Sequence, residues 1–531
     1  MHLFSLLVIT TLTVTAATAL AEQKQQPLLA LDRTMITTAK DILTPTIHEF
    51  IEKTLADWNS AGGVGIAVVQ KNAEGSWNVE TKGYGIAKVD GSKVTENTLF
   101  SIGSNSKIAS VIPEWELSDP VASTESTIID LMSHRTGLPR HDIAYHETQS
   151  AQSLISKLKY LRPSAEFRDV WQYNNIMYTV LSYIPDVLLH VPFTQYVRKH
   201  IFTPLGLNAT TYSGSVAEES GNLANGFGQD GVNKSEDVLG TGTPRAMPFW
   251  NFYGGDDGNI ISGAGGIISS AKDVVCLGLL WKASSALYNV DFRQRGFKSS
   301  YCKAKILNIG VAVLTNDDAY GAVFMEIIKW RIIDEAFGLE PVDWNSRAKQ
   351  VVADAYAERI QKLRPRPHNP TMPSVPFASL AGTYVHPAYG TLELCAIPSL
   401  NLPISQLTQN CKTLINELSF KLPGTFNTSE SVPTFFAYMD SAWLSHIRLQ
   451  HFDGNLFNVS GFQSLEQQYW AYDTTDNAPI TIEFAPNSDV VSSDGVSGFG
   501  VTGGFWGAGE GVEGPVGENA QERAEVWFDR V

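Results

Sequence analysis

Two short patterns in this chain hold residues that could do covalent chemistry. The first is Thr98-Leu-Phe-Ser-Ile-Gly-Ser-Asn-Ser-Lys107, an apolar run that meets a glycine and then a Ser-x-x-Lys. If a helix starts just after Gly103, Ser104 and Lys107 share one face of its first turn. A serine hydroxyl is a poor nucleophile at neutral pH unless a neighbour takes its proton. A partly desolvated lysine can do this, because burial lowers its pKa. The free N–H groups and positive dipole end of such a helix suit negative charge developing near Ser104. The second pattern is Tyr173-x-Asn175, where a phenol with a lowered pKa near a lysine can act as a general base and an amide can hold a carbonyl or fix the lysine.

Spacing alone does not single out Ser104, since Ser156/Lys159, Ser269/Lys272, Ser300/Lys303 and Ser346/Lys349 repeat it. The setting does. Only Ser104 follows strand-like residues and a glycine turn. For Tyr-x-Asn alone, a helix cap beside a buried tyrosine is the better reading.

The elements that must position these residues come from a chain of 531 residues, 43% hydrophobic, long enough for two or more domains. A formal charge of −16 argues against nucleic-acid or anionic-membrane partners, which it would repel. Residues 3–20 are apolar and small, and Ala19-Leu-Ala21 precedes Glu22. This predicts a cleaved signal peptide over 1–21 and a secreted, extracellular protein. The sequons at Asn208, Asn233, Asn427 and Asn458 agree with that compartment. Four cysteines are too few for a disulfide scaffold and lack metal spacing. Cys395 and Cys411 share one compositional block and are expected to pair, and Cys276 is expected to be a buried thiol. His141 and His146 lie on one loop and are read as solvated, not as ligands; no metal and no cofactor are expected.

Apolar spacing predicts a helix over Thr46–Asn59, then a strand Val64–Val69 with Trp77–Gly83 as its hairpin partner. Helices are expected at Thr127–His134, Thr148–Leu161 and Asn175–Leu188. Ser269 or Ser270 should cap another, running to Trp281. Ile306–Thr315 reads as a central strand, followed by helices at Gly321–Phe337 and Asp343–Leu363. The proline-rich stretch 364–376 is a stiff linker. Residues 377–531 show short alternating segments expected to fold as an antiparallel sheet or small barrel.

The two motifs in this order, with Leu131-Met-Ser-His-Arg-Thr-Gly-Leu-Pro139 between them and Ser262-Gly-Ala-Gly-Gly-Ile-Ile-Ser-Ser-Ala-Lys-Asp273 after, resemble the serine β-lactamase and penicillin-binding-protein-like superfamily. The branch is the one with Tyr-x-Asn as second motif, and the likeness is strongest to secreted fungal members. Leu380-Ala-Gly-Thr-Tyr-Val385 and Tyr389-Gly-Thr-Leu-Glu-Leu394 are similar to the lipocalin-like domain carried by many such hydrolases. The resemblance implies an α/β/α catalytic domain with a mixed antiparallel sheet over 22–363, then the linker and a β domain over 377–531. It implies a metal-independent serine hydrolase that forms an acyl-enzyme on Ser104 with an ester, amide or peptide substrate. Lys107 and Tyr173 would share the proton transfers, and Asn175 would orient the substrate.

Two departures accompany the resemblance. The chain passes almost directly from Lys107 to the loop at Pro113. No Lys or His followed by a small residue and Gly stands between Trp281 and Ile306, where the strand beside the nucleophile is read as missing; His134-Arg-Thr-Gly137 belongs to an earlier loop. Both departures read as missing segments, one after Lys107 and one between Trp281 and Ile306, so a catalytically inactive binding protein or a defective, wrongly spliced gene stays open as the alternative.

Overall fold

The computed structural model describes residues 42–71, 77–103, 112, 114–146, 148–232, 236–247, 258–274, 288–294, 297–304, 309–362, 364–397, 407–421, 432–465, 468–473, 480–486, 495–509 and 511–531. They fall into two compact units. One takes Ala109–Ile184 with Lys362–Val531, the other the described parts of Ile9–Ile108 with Pro185–Gln361.

The second of these units is a sheet covered by helices. Its strands are β1 (Gly63–Lys71), β2 (Trp77–Gly85), β7 (Tyr288–Gln294), β8 (Phe297–Ala304) and β9 (Ile309–Thr315), in the order β2-β1-β9-β8-β7. All pairs are antiparallel, and Ile66 faces Val313 across β1 and β9. Successive side chains on a strand point to opposite faces, so β1 and β9 feed two cores. Val64, Ile66, Val68, Val311 and Val313 pack with the helices Pro45–Asp57, Gly321–Ala336 and Trp344–Lys362. Ala67, Ala312 and Leu314 face the other way, toward Phe100, Phe193 and Tyr212. The first helix is set by Thr44, whose hydroxyl accepts from the Ile47 N–H, and by Pro45 in its first turn. A separate pair, β3 (Leu99–Gly103) with β6 (Ile267–Ser270), and a hairpin of β4 (Gly226–Asp230) with β5 (Thr243–Met247) complete the unit's strands.

The expectation of a missing strand between Trp281 and Ile306 fails at β7 and β8. Tyr, Val and Phe alternate there around Arg295-Gly296, a pattern that suits a hairpin. What the stretch lacks is the Lys/His-x-Gly motif itself, and β7 is the sheet's edge. Cys276 and most of the helix expected after Ser270 lie outside the described residues. Its start is described, where the Ser270 hydroxyl accepts from the Asp273 N–H at 3.2 Å.

In the other unit, residues 377–531 form a closed barrel. The strands β10 (Gly382–His386), β11 (Gly390–Ala396), β12 (Thr434–Tyr438), β13 (His446–Asp453), β14 (Leu456–Leu465), β16 (Thr481–Pro486), β17 (Val496–Thr502) and β18 (Val526–Arg530) run in the order β13-β12-β11-β10-β18-β17-β16-β14. The β13–β14 pairing closes the ring, and β15 (Gln468–Asp473) extends β14. The interior is filled by aromatic rings. Tyr384 lies 4.8 Å from Phe499, which lies 5.0 Å from Phe528, and Phe457 lies 5.2 Å from Phe484. Phe435 and Phe436 are both buried because they face opposite sides. Phe435 packs on Phe457, and Phe436 packs outward against the helix Gln409–Lys421. Cys395 on β11 and Cys411 on that helix form a disulfide, as expected.

Ala109–Ile184 contributes short helices. Asn174 caps Asn175–Ser182 through its side-chain oxygen, which accepts from the Ile176 N–H at 2.8 Å. The single helix expected over Asn175–Leu188 is two, because Pro185 has no N–H to continue the first helix and instead sits in the first turn of a new one, Ile184–Leu189. The one expected over Thr148–Leu161 is shorter: Ser150 caps Ala151–Ile155, and a 3-10 turn follows at Leu158–Tyr160.

Candidate active site around Tyr173 and Asn175

Ser104 and Lys107 lie outside the described residues. The described chain reaches Gly103 at the end of β3, whose Leu99 pairs with Ser270 and Gly103 with Ile267. The strand expected ahead of Ser104 is thus present. The other Ser-x-x-Lys pairs seen in full have structural uses: the Ser269 hydroxyl bonds to Thr210, and the Lys349 ammonium donates to the Asp57 carbonyl.

Tyr173 and Asn175 are held by the loop Leu131–Pro139. Asn174 between them is buried, and its amide donates to the carbonyls of Leu138 and Pro139 at 3.1 and 2.6 Å. Its backbone N–H donates to His134 Nδ1 at 3.1 Å, and the Gln172 N–H donates to the His134 carbonyl at 2.9 Å. The His134 ring then lies 4.7 Å from Tyr173 and 5.1 Å from Tyr178. Gly137 has φ +78°, and a Cβ there would meet the Ala165 carbonyl oxygen at 2.4 Å, so the turn requires glycine. Below the loop, Arg168 grips Asp130 with Nε on Oδ1 and Nη2 on Oδ2, each at 2.8 Å. Hydrogen bonds from Arg168 and Thr127 hold the Asp130 carboxyl well below the usual carboxylate range despite its burial.

The residues that sequence reasoning missed are Arg140, Asp142 and Tyr145. The Arg140 guanidinium stands over the Tyr173 ring, 5.0 Å from its centroid. Arg140 Nε donates to Asp142 Oδ2 at 2.6 Å, with the two side chains 12% and 10% exposed. Burial works against the Arg140 charge, but Asp142 and Tyr173 outweigh it and hold its pKa above the ordinary value. Asp142 Oδ1 accepts from the Asn175 amide at 3.4 Å. The Asn175 carbonyl oxygen and the Tyr145 hydroxyl are buried without an internal partner, and burial pushes the Tyr145 phenol well above its usual pKa. One signal could have found Arg140: a basic and an acidic residue two apart, directly after the Gly-Leu-Pro turn.

His141 corrects the reading of a solvated loop histidine. It is fully buried, with Nδ1 on the Tyr389 hydroxyl at 2.7 Å and Nε2 on the Arg162 carbonyl at 2.9 Å. Desolvation lowers its pKa to about 3, so at neutral pH the ring is uncharged. Among the described residues no three His, Cys, Asp or Glu side chains are grouped to hold a metal.

The arrangement places a phenol beneath a fixed cation, next to an amide with a spare acceptor. A model of the β-lactamase family matches residues 50–291, a span that contains both motifs. The chain therefore carries a domain of the β-lactamase family over those residues. It is similar to an unguisins hydrolase of Aspergillus campestris, at 26% identity over 67% of this chain and 78% of that protein. It is also similar to an unguisins hydrolase of Aspergillus violaceofuscus, at 27% identity over 62% of this chain and 73% of that protein. An octameric penicillin-binding protein homologue from Pyrococcus abyssi aligns at 14% identity over 86% of this chain and 97% of its own, with a TM-score of 0.43. The eight-stranded barrel is consistent with the lipocalin-like domain that the resemblance implied.

Proposed function

We propose that this chain is a secreted serine hydrolase that works through an acyl-enzyme on Ser104, with an ester, amide or peptide as substrate. The observation that carries the reading is the fixed cation over Tyr173, because an ionised phenol is stabilised by a positive charge beside it. Ser104 Oγ attacks the substrate carbonyl and gives its proton to Tyr173 or Lys107; the same proton then leaves with the departing amine or alcohol. Water repeats the sequence to release the acid and restore Ser104. Asn175, with a carbonyl oxygen free of internal partners, orients a substrate N–H.

The names of the Aspergillus relatives, which hydrolyse unguisins, support hydrolysis as the reaction class. Secretion rests on the apolar segment at residues 3–20, and glycosylation on four sequons, of which Asn208 and Asn458 are exposed. A second reading, a binding protein without turnover, is favoured by the absence of a Lys/His-x-Gly between Trp281 and Ile306. Labelling with a fluorescent penicillin and with a fluorophosphonate, followed by peptide mapping, separates the two. Label on Ser104 that disappears in Ser104→Ala supports the hydrolase; label that persists in Ser104→Ala rejects it.

A further inference from the structure

One turn of the barrel packs directly on Arg140. Glu525, buried just before β18, accepts from the Gly504 N–H at 2.7 Å and the Trp506 N–H at 3.2 Å. A carboxylate bound by successive backbone N–H groups fixes the turn that carries them. The turn closes with the Gly507 N–H on the Gly504 carbonyl at 3.0 Å, and the Trp506 carbonyl accepts from the His141 N–H at 2.8 Å. Gly507 then lies flat on the Arg140 side chain. It has φ +74°, and a Cβ there would meet Arg140 Cβ at 2.9 Å and Cδ at 3.2 Å.

We propose that this barrel turn is a positioning element for the active site: pinned by Glu525, it holds the Arg140 guanidinium over Tyr173 and so sets how readily Tyr173 gives up its proton. The proposal rests on Tyr173 being the base, but its central claim concerns the phenol alone. Among the described residues the charged or titratable groups around Tyr173 are Arg140, His134, Tyr145 and Tyr178, with Asp142 acting through Arg140. Arg140 is the one permanent cation in that set, and an opposite charge at this range favours the ionised phenol. Gly507 offers no charge of its own. Its part is to leave no room for Arg140 to turn away.

The test is the titration of Tyr173 in full-length protein carrying 13Cζ-labelled tyrosine, the resonance being assigned by its loss in Tyr173→Phe. Arg140→Gln is expected to raise the midpoint by about one pH unit or more. Gly507→Ala is expected to raise it in the same direction, and the double variant to go no further than Arg140→Gln. Gly509→Ala, where a Cβ meets nothing within 4 Å, is expected to leave it unchanged. If Gly507→Ala does not fold, Glu525→Gln, which loosens the same turn, takes its place with the same expected direction. A Tyr173 midpoint unmoved in folded Arg140→Gln, or unmoved by both turn variants, overturns the proposal. Should the wild-type protein show neither turnover nor label on Ser104, the hydrolase reading fails while the titration still decides this one. Where turnover is measured, the turn variants are expected to displace the acidic limb of the kcat/KM profile and leave KM at the pH optimum within twofold.

Discussion

His141 and Tyr389 stand 248 residues apart in the chain and 2.7 Å apart in the structure, imidazole Nδ1 to phenol oxygen. Both are buried, so the loop that carries Arg140 is tied to the barrel by a bond that water does not reach. The pair works only while the histidine is neutral.

That dependence gives an acid limit to stability. Folded His141 has its pKa lowered from 6.5 to about 3, and His386 beside Tyr389 has its own lowered to about 4, both chiefly by burial. The unfolded chain binds these protons near pH 6.5 and the folded one does not, so the stabilisation is complete above pH 6.5 and falls away toward pH 3 to 4. At pH 5 each histidine is expected to have cost about 2 kcal/mol. Urea unfolding at pH 7.5 and pH 5.0 measures it, and His141→Gln should remove about half of the difference. Equal midpoints at the two pH values in the wild type would show that the rings are not held neutral.

Asp130 closes the helix start at Thr127, accepting from the Thr127 N–H at 2.8 Å while its own N–H faces the Thr127 hydroxyl. Asp130→Ala removes the capping box and is expected to cost about 1 kcal/mol. The carboxylate's folded pKa is depressed, so its contribution is present above pH 4 and lost as pH falls below it. Denaturation of the variant and the wild type at pH 7 and pH 3 should show the gap narrowing in acid.

The Cys395–Cys411 bridge closes a separation of 16 residues, for which chain entropy gives a stabilisation of ~3 kcal/mol. Thermal unfolding of the double variant Cys395→Ala/Cys411→Ala should show a loss of that order. Loss of the helix signal from Gln409–Lys421, with the barrel signal retained, is the expected pattern, because the bridge joins that helix to β11.

Turnover by this chain is expected to be slow. Removing one oxyanion donor costs roughly a hundredfold to a thousandfold in known cases, and the Lys/His-x-Gly motif beside the nucleophile is absent from the sequence. Hydrolysis of p-nitrophenyl acetate and nitrocefin, compared with a version carrying the segment after Lys107 and a Lys/His-x-Gly strand in place of the one before Ile306 from a related transcript, measures the deficit. Equal Ser104-dependent rates would show that the departures are tolerated.

The fold was largely legible because its signals are local and periodic. The nearly continuous apolar run along Ile309–Thr315 and the alternation through the barrel strands mark buried strands, and the Pro-rich stretch marks the boundary before the barrel. The helix Gln409–Lys421 was missed, though Cys411, Leu414, Ile415 and Leu418 sit at helical spacing and Thr408 caps it with a 3.1 Å bond from the Cys411 N–H. Around the site, Tyr-x-Asn could be read because both residues belong to one pattern. His141 was misread because what buries it is Tyr389, and no local rule connects positions so far apart. Arg140 was passed over for the same reason: its place over Tyr173 depends on a glycine in the barrel.

The division of the chain bears on how it is made. Ala109–Ile184 leaves the ribosome well before Lys362–Val531, with which it forms one unit, and roughly 180 residues of the other unit are synthesised in between. At about 5 to 20 residues per second the loop bearing Arg140 and His141 waits about twelve to fifty seconds for Tyr389, 248 residues on. Translation tempo and chaperone capture over that interval then bear on the yield of chains that acquire a complete site.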